Sequence, residues 1–416
     1  MIASGTRGDV QPAIALGKAL RTAGYRVRIV AGGGFGAWIE RHGLEAAPSR
    51  VDIEAVMRSE LGQEWVDRGH RPLVQQRLMQ RLIDGFGPRL IRDAWEASQD
   101  ADAVMSSFTS DTYALAIGEG RDIPVISMPL QPTMITTRDG RAMPNAPLPR
   151  RVSRINEWFG RILIEPFPWR IYGRHVNAFR REIGLAPQTS RQSVAARRRM
   201  TVIHGVSRHV MPFPTDWPAS FHVSGYWFLE ERRDWQPPTE LADFLASGRL
   251  PVSIGFGSMI GRDPEGTTRL LVEAVQRSGE RAILLAGWAG MGSQEFPPGV
   301  LVLPSVPHGW LYQRVAAVVH HGGAGTTAAG LSAGAPSVIV PHMVDQPYWG
   351  QRVRALGVGP RPIPRHRLTA ATLAEAIREA VSDEAMRRRA ANLAARIKAE
   401  DGLAAAVAVV KSVAGV

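Results

Sequence analysis

Cysteine is absent from the 416-residue chain, which excludes a disulfide framework and any metal site built on thiolates. Lysine occurs only at positions 18, 398 and 411, so arginine carries almost all of the positive charge. No apolar run approaches the roughly 18 residues of a transmembrane helix, and no charged segment followed by an apolar core opens the chain. These absences predict a soluble, cytoplasmic protein.

The formal net charge is +12, with arginine clusters at 150–151, 180–181 and 197–199. Such clusters can bind nucleic acid or acidic membrane surfaces. These clusters have no interleaved aromatic residues and accompany no nucleic-acid-binding motif. We therefore expect solvated faces and no nucleic-acid partner, and keep a weak peripheral membrane contact as an alternative in case the substrate is a lipid.

A glycine-rich turn follows an apolar run in the second half of the chain. Residues 315–319 are predicted to form a buried strand and residues 326–333 a helix. The turn between them contains His321, Gly323 and Gly325, and it leads into Thr326. A strand, a glycine turn and a helix bring bare N–H groups and the positive end of a helix dipole to one place, which suits a diphosphate.

Asp345 and Gln346 follow the next predicted strand, residues 337–340. Neighbouring parallel strands end at the same edge of a sheet, where ligands bind. A carboxylate and an amide suit sugar hydroxyls, because the first accepts hydrogen bonds and the second both donates and accepts them. The two motifs together indicate a nucleotide-sugar site.

A second ligand-facing turn opens the chain. Residues 4–9 read Ser-Gly-Thr-Arg-Gly-Asp, and an apolar pattern over residues 13–23 predicts a helix with Pro12 in its first turn. Only three residues precede the turn, whereas a strand usually has about 5–6. Asp9 has two interpretations: a ligand-facing carboxylate, or the N-cap of the helix.

The chain resembles the inverting, metal-independent glycosyltransferases of the GT-B class, whose α/β fold has two facing Rossmann-like domains with a donor and acceptor cleft between them. Residues 304–364 carry the resemblance most specifically, and it extends over nearly the whole chain. The runs His-His-Gly-Gly-Ala-Gly-Thr-Thr-Ala-Ala-Gly-Leu at 320–331 and Asp-Gln-Pro-Tyr-Trp-Gly at 345–350 look most like the sterol glucosyltransferases, and next like the transferases of bacterial polyketides and glycopeptides.

The resemblance implies the domain bounds and the site residues. It implies an acceptor-binding domain over 1–212, a linker over 213–228, a nucleotide-sugar domain over 229–395, and a last helix over 396–416 that returns to the first domain. Asp9 is the implied catalytic base. The implied donor-binding residues are Thr6, Arg7, Ser258, Trp288, Val306, His308, His321, Gly323, Gly325, Thr326, Asp345 and Gln346.

Two departures from the family bear on the substrates. Ala329 stands where many relatives carry a glutamate that binds ribose, which leaves UDP and dTDP donors open. Gly32–Gly34 stand where the large sterol enzymes carry a histidine, and their membrane-targeting modules are absent, which favours a soluble hydrophobic acceptor. Asp100 and Asp102 form an Asp-x-Asp pattern, but they precede a predicted strand, and we interpret them as a surface turn.

The sequence therefore predicts a hexosyltransferase that needs neither metal nor cofactor and moves a sugar from UDP-glucose to a sterol, macrolide or other polyketide. A dTDP-deoxysugar transferase is the main alternative. A nucleotide-sugar epimerase would need further acid and base groups and no acceptor. A non-catalytic partner of a transferase would be expected to lose donor residues such as His321 and Asp345, and this chain retains them.

Overall fold

A computed structural model describes residues 1–69, 71–108, 110–138, 153–230, 235–257, 259, 263–287 and 296–414. Contacts between residues divide the chain into two compact units. Unit 1 comprises Met1–Val56, Leu73–Leu229 and Glu400–Val416, and unit 2 comprises Met57–Pro72 and Glu230–Ala399.

The strands are short, with three to five residues each, and each is named by its order in the chain. They are β1 (Arg28–Gly32), β2 (Glu45–Ser49), β3 (Val104–Ser106), β4 (Val125–Ser127), β5 (Thr201–His204), β6 (Phe221–Val223), β7 (Val252–Gly255), β8 (Ala282–Leu285), β9 (Val300–Leu303), β10 (Ala317–His320) and β11 (Ser337–Ile339).

The helices fill the intervals between the strands. They are α1 (Arg7–Thr22), α2 (Gly36–Arg41), α3 (Ile53–Arg58), α4 (Glu60–Arg68), α5 (Pro72–Ala97), α6 (Asp111–Arg121), α7 (Ser153–Phe159), α8 (Phe167–Glu182), α9 (Ser190–Arg199), α10 (Thr239–Ala246), α11 (Pro264–Ser278), α12 (His308–Leu311), α13 (Ala324–Ala333), α14 (Gln346–Ala355), α15 (Ala370–Ser382), α16 (Glu384–Lys398) and α17 (Gly402–Ala414). Among the described residues, none of these helices is both long and apolar enough to cross a membrane.

Unit 1 is built on parallel strands that meet at Ile2. Strands β3, β4, β5 and β6 pair in that order, and β1 pairs with β2. Ile2 forms parallel bridges to both Val30 of β1 and Ser106 of β3, and so joins the two sets. The strand order therefore reverses between Ile2 and β3, which is the switch point where doubly wound sheets bind ligands.

Unit 2 has a five-stranded parallel sheet in the order β9, β8, β7, β10, β11. The chain runs outward from β7 to β9 and then returns to the other side of β7 with β10. The switch point of this sheet consequently lies between β7 and β10. Strands β7, β8, β10 and β11 are buried on both faces, as the apolar runs of the sequence predict for a parallel sheet, and the edge strand β9 is partly buried.

The apolar cores follow these sheets. In unit 1 the core joins α1, β1 and the last helix, with Ile14, Ile29 and Val410 in one buried cluster. In unit 2 one cluster packs α11 and α15 against one face of the sheet, and another packs α10 and α12 against further buried strand residues. Covering both faces with helices leaves the carboxyl ends of the strands free for ligand sites.

Several bounds differ from the sequence prediction. Helix α1 begins at Arg7, so Pro12 lies in its second turn, because Thr6 caps the helix earlier than the apolar pattern indicates. Strand β6 lies within the predicted linker 213–228, and it pairs with β5 through Phe221 and His222. Residues 57–72, predicted within the first domain, are grouped with unit 2.

Candidate functional site

The switch point of unit 2 contains the turn between β10 and α13. Gly322 adopts a φ of 87°, a conformation that favours glycine. A Cβ on Gly322 would also lie 2.7 Å from Cγ2 of Ile339. Glycine is therefore required at this position for the chain to turn sharply from the strand into the helix.

Helix α13 begins without a side-chain cap. Its N-cap is Gly323, which has no side chain to accept a bond from the first turn. The first intrahelical bond of this turn runs from the N–H of Thr327 to the carbonyl of Gly323 at 2.9 Å. The N–H groups of Gly325 and Thr326 precede it, so they have no intrahelical acceptor. An anion placed here would meet these donors and the positive end of the helix dipole.

His321 lies beside this helix end. Its ring is half-buried and packs over Gly323, where a Cβ would stand 2.5 Å from Nε2 of His321. Burial lowers the pKa of His321 to about 4, so the ring is neutral at pH 7. Its Nδ1 is buried and has no partner among the residues that the structure describes. A neutral imidazole offers a ligand one hydrogen bond from each nitrogen, one donated and one accepted.

His320 plays a different part from its neighbour. It is fully buried, and its Nδ1 accepts a hydrogen bond from the N–H of Gly322 at 3.0 Å. This bond closes the turn from within. The sequence shows two adjacent histidines, and the structure assigns one to the turn and the other to the surface of the site.

The loop after β7 forms the other side of the switch point. Gly257 has a φ of 59°, and a Cβ there would lie 3.6 Å from Cε1 of His321. The backbone of this loop therefore approaches the His321 ring closely. Two predicted donor-binding residues, Ser258 and Trp288, lie outside the described residues.

Asp345 and Gln346 lie next to the same turn. A Cβ on Gly322 would stand 3.2 Å from the carbonyl oxygen of Gln346, which places the start of α14 against the glycine turn. Asp345 is the N-cap residue of α14, and its Oδ2 accepts a hydrogen bond from Nε1 of Trp349 at 2.7 Å. Gln346 is buried, and its Oε1 accepts bonds from the N–H groups of His342 and Met343.

Val344, directly before this pair, has a φ of 55°. The left-handed conformation costs a residue with a Cβ roughly 1–2 kcal/mol and is a genuine outlier for a β-branched side chain. This feature has no signal in the sequence, because no residue around position 344 indicates a positive φ for valine.

The predicted base-binding residues lie along the edge of unit 2 that leads to the turn. Val306 is buried in the apolar cluster against which Ala329 packs. His308 begins α12, and its ring stacks on Tyr312 with centroids 4.7 Å apart. Helix α12 also contacts α13, the helix that follows the glycine turn. The structure therefore brings Val306, His308, His321, Gly323, Gly325, Thr326, Asp345 and Gln346 to one region of unit 2.

The switch point of unit 1 contains Asp9. Thr6 is the N-cap of α1, and Asp9 occupies the third position of the helix in a capping box. Oδ2 of Asp9 accepts a hydrogen bond from the backbone N–H of Thr6 at 2.9 Å. A side chain at Gly5 would collide with this carboxylate. Asp9 is therefore a capping residue, although it is not the N-cap that the sequence allowed for.

Capping does not hide the Asp9 carboxylate, which is half-buried. Burial raises the pKa of Asp9 above its ordinary value, and the hydrogen bonds from Thr6 oppose that rise. Asp9 also lines a cavity at the end of β3, together with Ala3, Pro12, Ala13, Ser107, Phe108, Met128, Leu130, Gln131 and Trp227. Seven of these ten residues are apolar, and Asp9, Ser107 and Gln131 are the polar ones.

Arg7 and the Asp-x-Asp pattern complete the predicted residues of unit 1. Arg7 is exposed, and its guanidinium lies 5.2 Å from the ring centroid of Trp38. Asp100 pairs with Arg26 and Arg28 at the surface, in agreement with a surface turn.

Family models match both ends of the chain. Residues 1–128 match the glycosyltransferase family 28 N-terminal domain. Residues 268–411 match the C-terminal domain of the erythromycin biosynthesis protein CIII-like family.

Curated relatives include the sterol 3-beta-glucosyltransferase of Neosartorya fischeri, 34% identical over 97% of this chain and 28% of that protein. Sterol 3-beta-glucosyltransferase UGT80A2 of Arabidopsis thaliana is 34% identical over 98% of this chain and 64% of that protein. The chain thus spans between about a quarter and two thirds of the length of these relatives.

Solved structures share the fold at lower identity. The calicheamicin glycosyltransferase CalG4 is 18% identical, with a TM-score of 0.69 over 100% of this chain and 97% of that one. The glycosyltransferase VinC in complex with DTDP is 19% identical, with a TM-score of 0.66 over 100% of this chain and 98% of that one.

The fold is that of the GT-B glycosyltransferases, with two Rossmann-like domains, and the predicted fold class is confirmed. Both ends of the chain thus resemble domains of known families, a family 28 N-terminal domain at 1–128 and an erythromycin CIII-like C-terminal domain at 268–411.

Proposed function

We propose that the chain is an inverting hexosyltransferase that moves a sugar from a nucleotide sugar, UDP-glucose in the first instance, to a hydroxyl of a hydrophobic acceptor such as a sterol, macrolide or other polyketide. The observation that carries the proposal is the uncapped N-terminus of α13 beside the neutral His321 ring. A diphosphate suits this place, because backbone donors and a helix dipole can meet its charge.

The proposal assigns the donor to unit 2. The diphosphate would accept hydrogen bonds from the N–H groups of Gly325 and Thr326 and from His321. The carboxylate of Asp345 and the NH2 group of Gln346 would bind sugar hydroxyls. The two backbone N–H groups and His321 would also stabilise the negative charge that develops on the leaving diphosphate. The proposed step therefore does not call for a metal ion.

The acceptor would lie at the cavity of unit 1 that Asp9 lines, with its hydroxyl at the Asp9 carboxylate. The carboxylate removes the hydroxyl proton while the acceptor oxygen forms a bond to C1 of the sugar. The bond between C1 and the diphosphate oxygen breaks, and its electron pair leaves with the nucleoside diphosphate. A single displacement of this kind inverts the configuration at C1. The raised pKa makes Asp9 a better base than an exposed aspartate.

The relatives support the acceptor class, since the curated ones are named for sterols. A dTDP donor is the alternative, favoured by the structure of VinC in complex with DTDP. Ala329 is compatible with both nucleotides, because its methyl group cannot form a hydrogen bond with a ribose hydroxyl.

The test is product formation followed by mass spectrometry, with UDP-glucose and dTDP-glucose offered against a panel of sterols, macrolides and polyphenols. We expect a gain of one hexose on at least one acceptor, and product with the β-configuration from an α-linked donor. Consumption of donor without acceptor would instead support an epimerase. Calorimetry with UDP and dTDP provides the control, because absence of binding by both would reject the assignment of the α13 turn.

A further inference from the structure

The loop between β11 and α14 adopts a conformation that its own residues disfavour. Val344 has a φ of 55°, and it is one of two residues other than glycine with a positive φ among the described residues. Such a conformation persists only where the surrounding structure holds it, and it occurs most often at functional sites. The loop must therefore be fixed by contacts from outside Val344.

Gln346 supplies the most direct of these contacts. Its side-chain oxygen Oε1 accepts a hydrogen bond from the N–H of His342 at 2.8 Å and another from the N–H of Met343 at 3.1 Å. The side chain is only 5% exposed. Two backbone donors on the near side of Val344 are thus tied to a residue on its far side, and the loop is closed around the strained position.

Other contacts hold the flanks of the same loop. Met343 is buried, and its Cβ would lie 3.3 Å from a Cβ on Gly69, at the end of α4. Nδ1 of His342 bonds to the carbonyl of Val340 at 2.9 Å. These contacts support the loop ends, while Gln346 spans the strained residue through its side-chain oxygen and also through its backbone N–H, which donates to the carbonyl of Met343 at 3.2 Å.

The amide of Gln346 has little capacity left for a ligand. Its oxygen already accepts two bonds, and the hydrogen-bonded contact of its nitrogen is with Sδ of Met259 at 3.6 Å, a weak acceptor. Asp345 is held within its own helix, where its Oδ2 accepts a hydrogen bond from Nε1 of Trp349. The two residues of the Asp-Gln pair are therefore held in different ways, and only Gln346 has its side-chain oxygen bound to the backbone of the loop.

We propose that Gln346 acts mainly as a positioning residue, whose carbonyl oxygen holds the strained loop so that Asp345 faces the donor sugar. The NH2 group is the only part of Gln346 available to the sugar. The identity of the ligand in this inference rests on the proposed function, whereas the role of Gln346 in the loop does not.

The first test compares two substitutions in the protein without ligand. Gln346→Met keeps the length of the side chain but leaves the two buried N–H groups without an acceptor. Gln346→Glu keeps an oxygen acceptor and removes the NH2 group. We expect the Tm to fall by a few degrees for Gln346→Met and to stay near the wild-type value for Gln346→Glu. An unchanged Tm for Gln346→Met would overturn the proposal, because a residue that serves only the sugar has no part in the unliganded fold.

The second test is a double-mutant cycle with Val344→Gly. Glycine adopts the observed φ without strain, so Val344→Gly should raise the Tm of the wild-type protein. In the Gln346→Met background the loop can relax, and the gain from Val344→Gly should shrink. Additive changes in Tm would show that Gln346 does not hold the strained residue, and would overturn the proposal.

Ligand binding then separates this inference from the proposed function. We expect Gln346→Met to weaken the binding of UDP-glucose or dTDP-glucose at least tenfold more than that of UDP or dTDP, which have no sugar. If the substitution weakened the binding of the nucleotide sugar and of the nucleoside diphosphate equally, the loop would not orient Asp345 toward the sugar, and the proposal would be overturned. A chain that transfers no hexose would refute the proposed function, while the melting experiments would still decide the role of Gln346.

Discussion

The two units have switch points with the same topology and opposite chemistry. In each, a strand leads through a glycine-containing turn into a helix at the point where the strand order reverses. In unit 1 the helix start is closed by the capping box of Thr6 and Asp9. In unit 2 the N-cap is Gly323, which leaves the first turn open. A closed helix start presents a carboxylate, whereas an open one presents N–H donors.

The same topology can therefore serve both halves of the proposed reaction. An open N-terminus attracts an anion, because its N–H groups and dipole are not satisfied. A capped N-terminus repels one, since the carboxylate already occupies the positive end. The residue at the cap therefore decides whether the turn serves the proposed donor or the proposed base.

The largest effect should come from removing the carboxylate of unit 1. Asp9→Asn keeps an oxygen that can accept the Thr6 bond, but it cannot take a proton. We expect turnover to fall roughly 10²–10⁴-fold, while the Kd for UDP or dTDP measured by calorimetry stays near the wild-type value. Turnover equal to that of the wild type would show that another group acts as the base.

Closing the turn of unit 2 should have the next largest effect. Gly323→Ala places a Cβ against the His321 ring and should displace it from the site. A lost hydrogen bond to a charged group corresponds to about 1.5–3 kcal/mol, so we expect the Kd for UDP or dTDP to rise about tenfold or more. Gly8→Ala is the matched control in unit 1, where a Cβ would meet only Oγ1 of Thr6 at 3.6 Å. Equal affinities in wild type and Gly323→Ala would contradict the assignment.

The pH dependence of the free energy of unfolding should differ between the buried titratable groups of the two units. Burial lowers the pKa of His321 to about 4 and that of His342 to about 3, both in unit 2. The unfolded chain binds their protons below about pH 6.5, so these groups make the free energy of unfolding decrease as the pH falls from about 7 to 4. Burial raises the pKa of Asp111 in unit 1 to about 7, so its contribution has the opposite sign.

Urea unfolding at several pH values provides the measurement. We expect His321→Gln to flatten the loss of stability below pH 6.5, by at most about 1.4 kcal/mol per pH unit. Asp111→Asn should steepen it. A slope that neither substitution changes would show that these groups do not titrate differently in the folded and unfolded chains.

The smallest effect concerns the cap of α1. Thr6→Val removes the hydroxyl that accepts a bond from the N–H of Gly8, at a cost of about 1 kcal/mol. The hydroxyl also donates to Oδ2 of Asp9, a bond that lowers the pKa of the carboxyl. Its loss should therefore move the acidic limb of the kcat/KM profile to higher pH. A profile that stays in place would show that Thr6 only caps the helix.

The sequence predicted these turns well, because their signals are local. Strand β10 and helix α13 lie close to the predicted residues 315–319 and 326–333, since an apolar run and a glycine turn need no distant contact to be recognised. Thr6 and Asp9, three residues apart, also resemble a capping-box pattern, which the interpretation of Asp9 as an N-cap overlooked.

Features that depend on tertiary contacts were not predictable. The positive φ of Val344 is held by Gln346 and by buried neighbours, so the sequence around it gives no signal. Strand β6 lies among prolines that suggest a linker, yet its pairing with β5 makes it part of the sheet. The grouping of residues 57–72 with unit 2 likewise depends on contacts far along the chain.

The glycines that meet near the end of unit 1 matter for protein engineering. Gly225, with a φ of 112°, packs against the Cα of Gly402, and Nε1 of Trp227 donates to the Gly402 carbonyl at 3.2 Å. Helix α17 also contributes Ala406 and Val410 to the core of α1. A chimera joined once near residue 229 would place a foreign terminal helix on this core. Recombination of donor specificity between relatives should therefore exchange residues 230–399 as an insert and leave the native terminal helix in place.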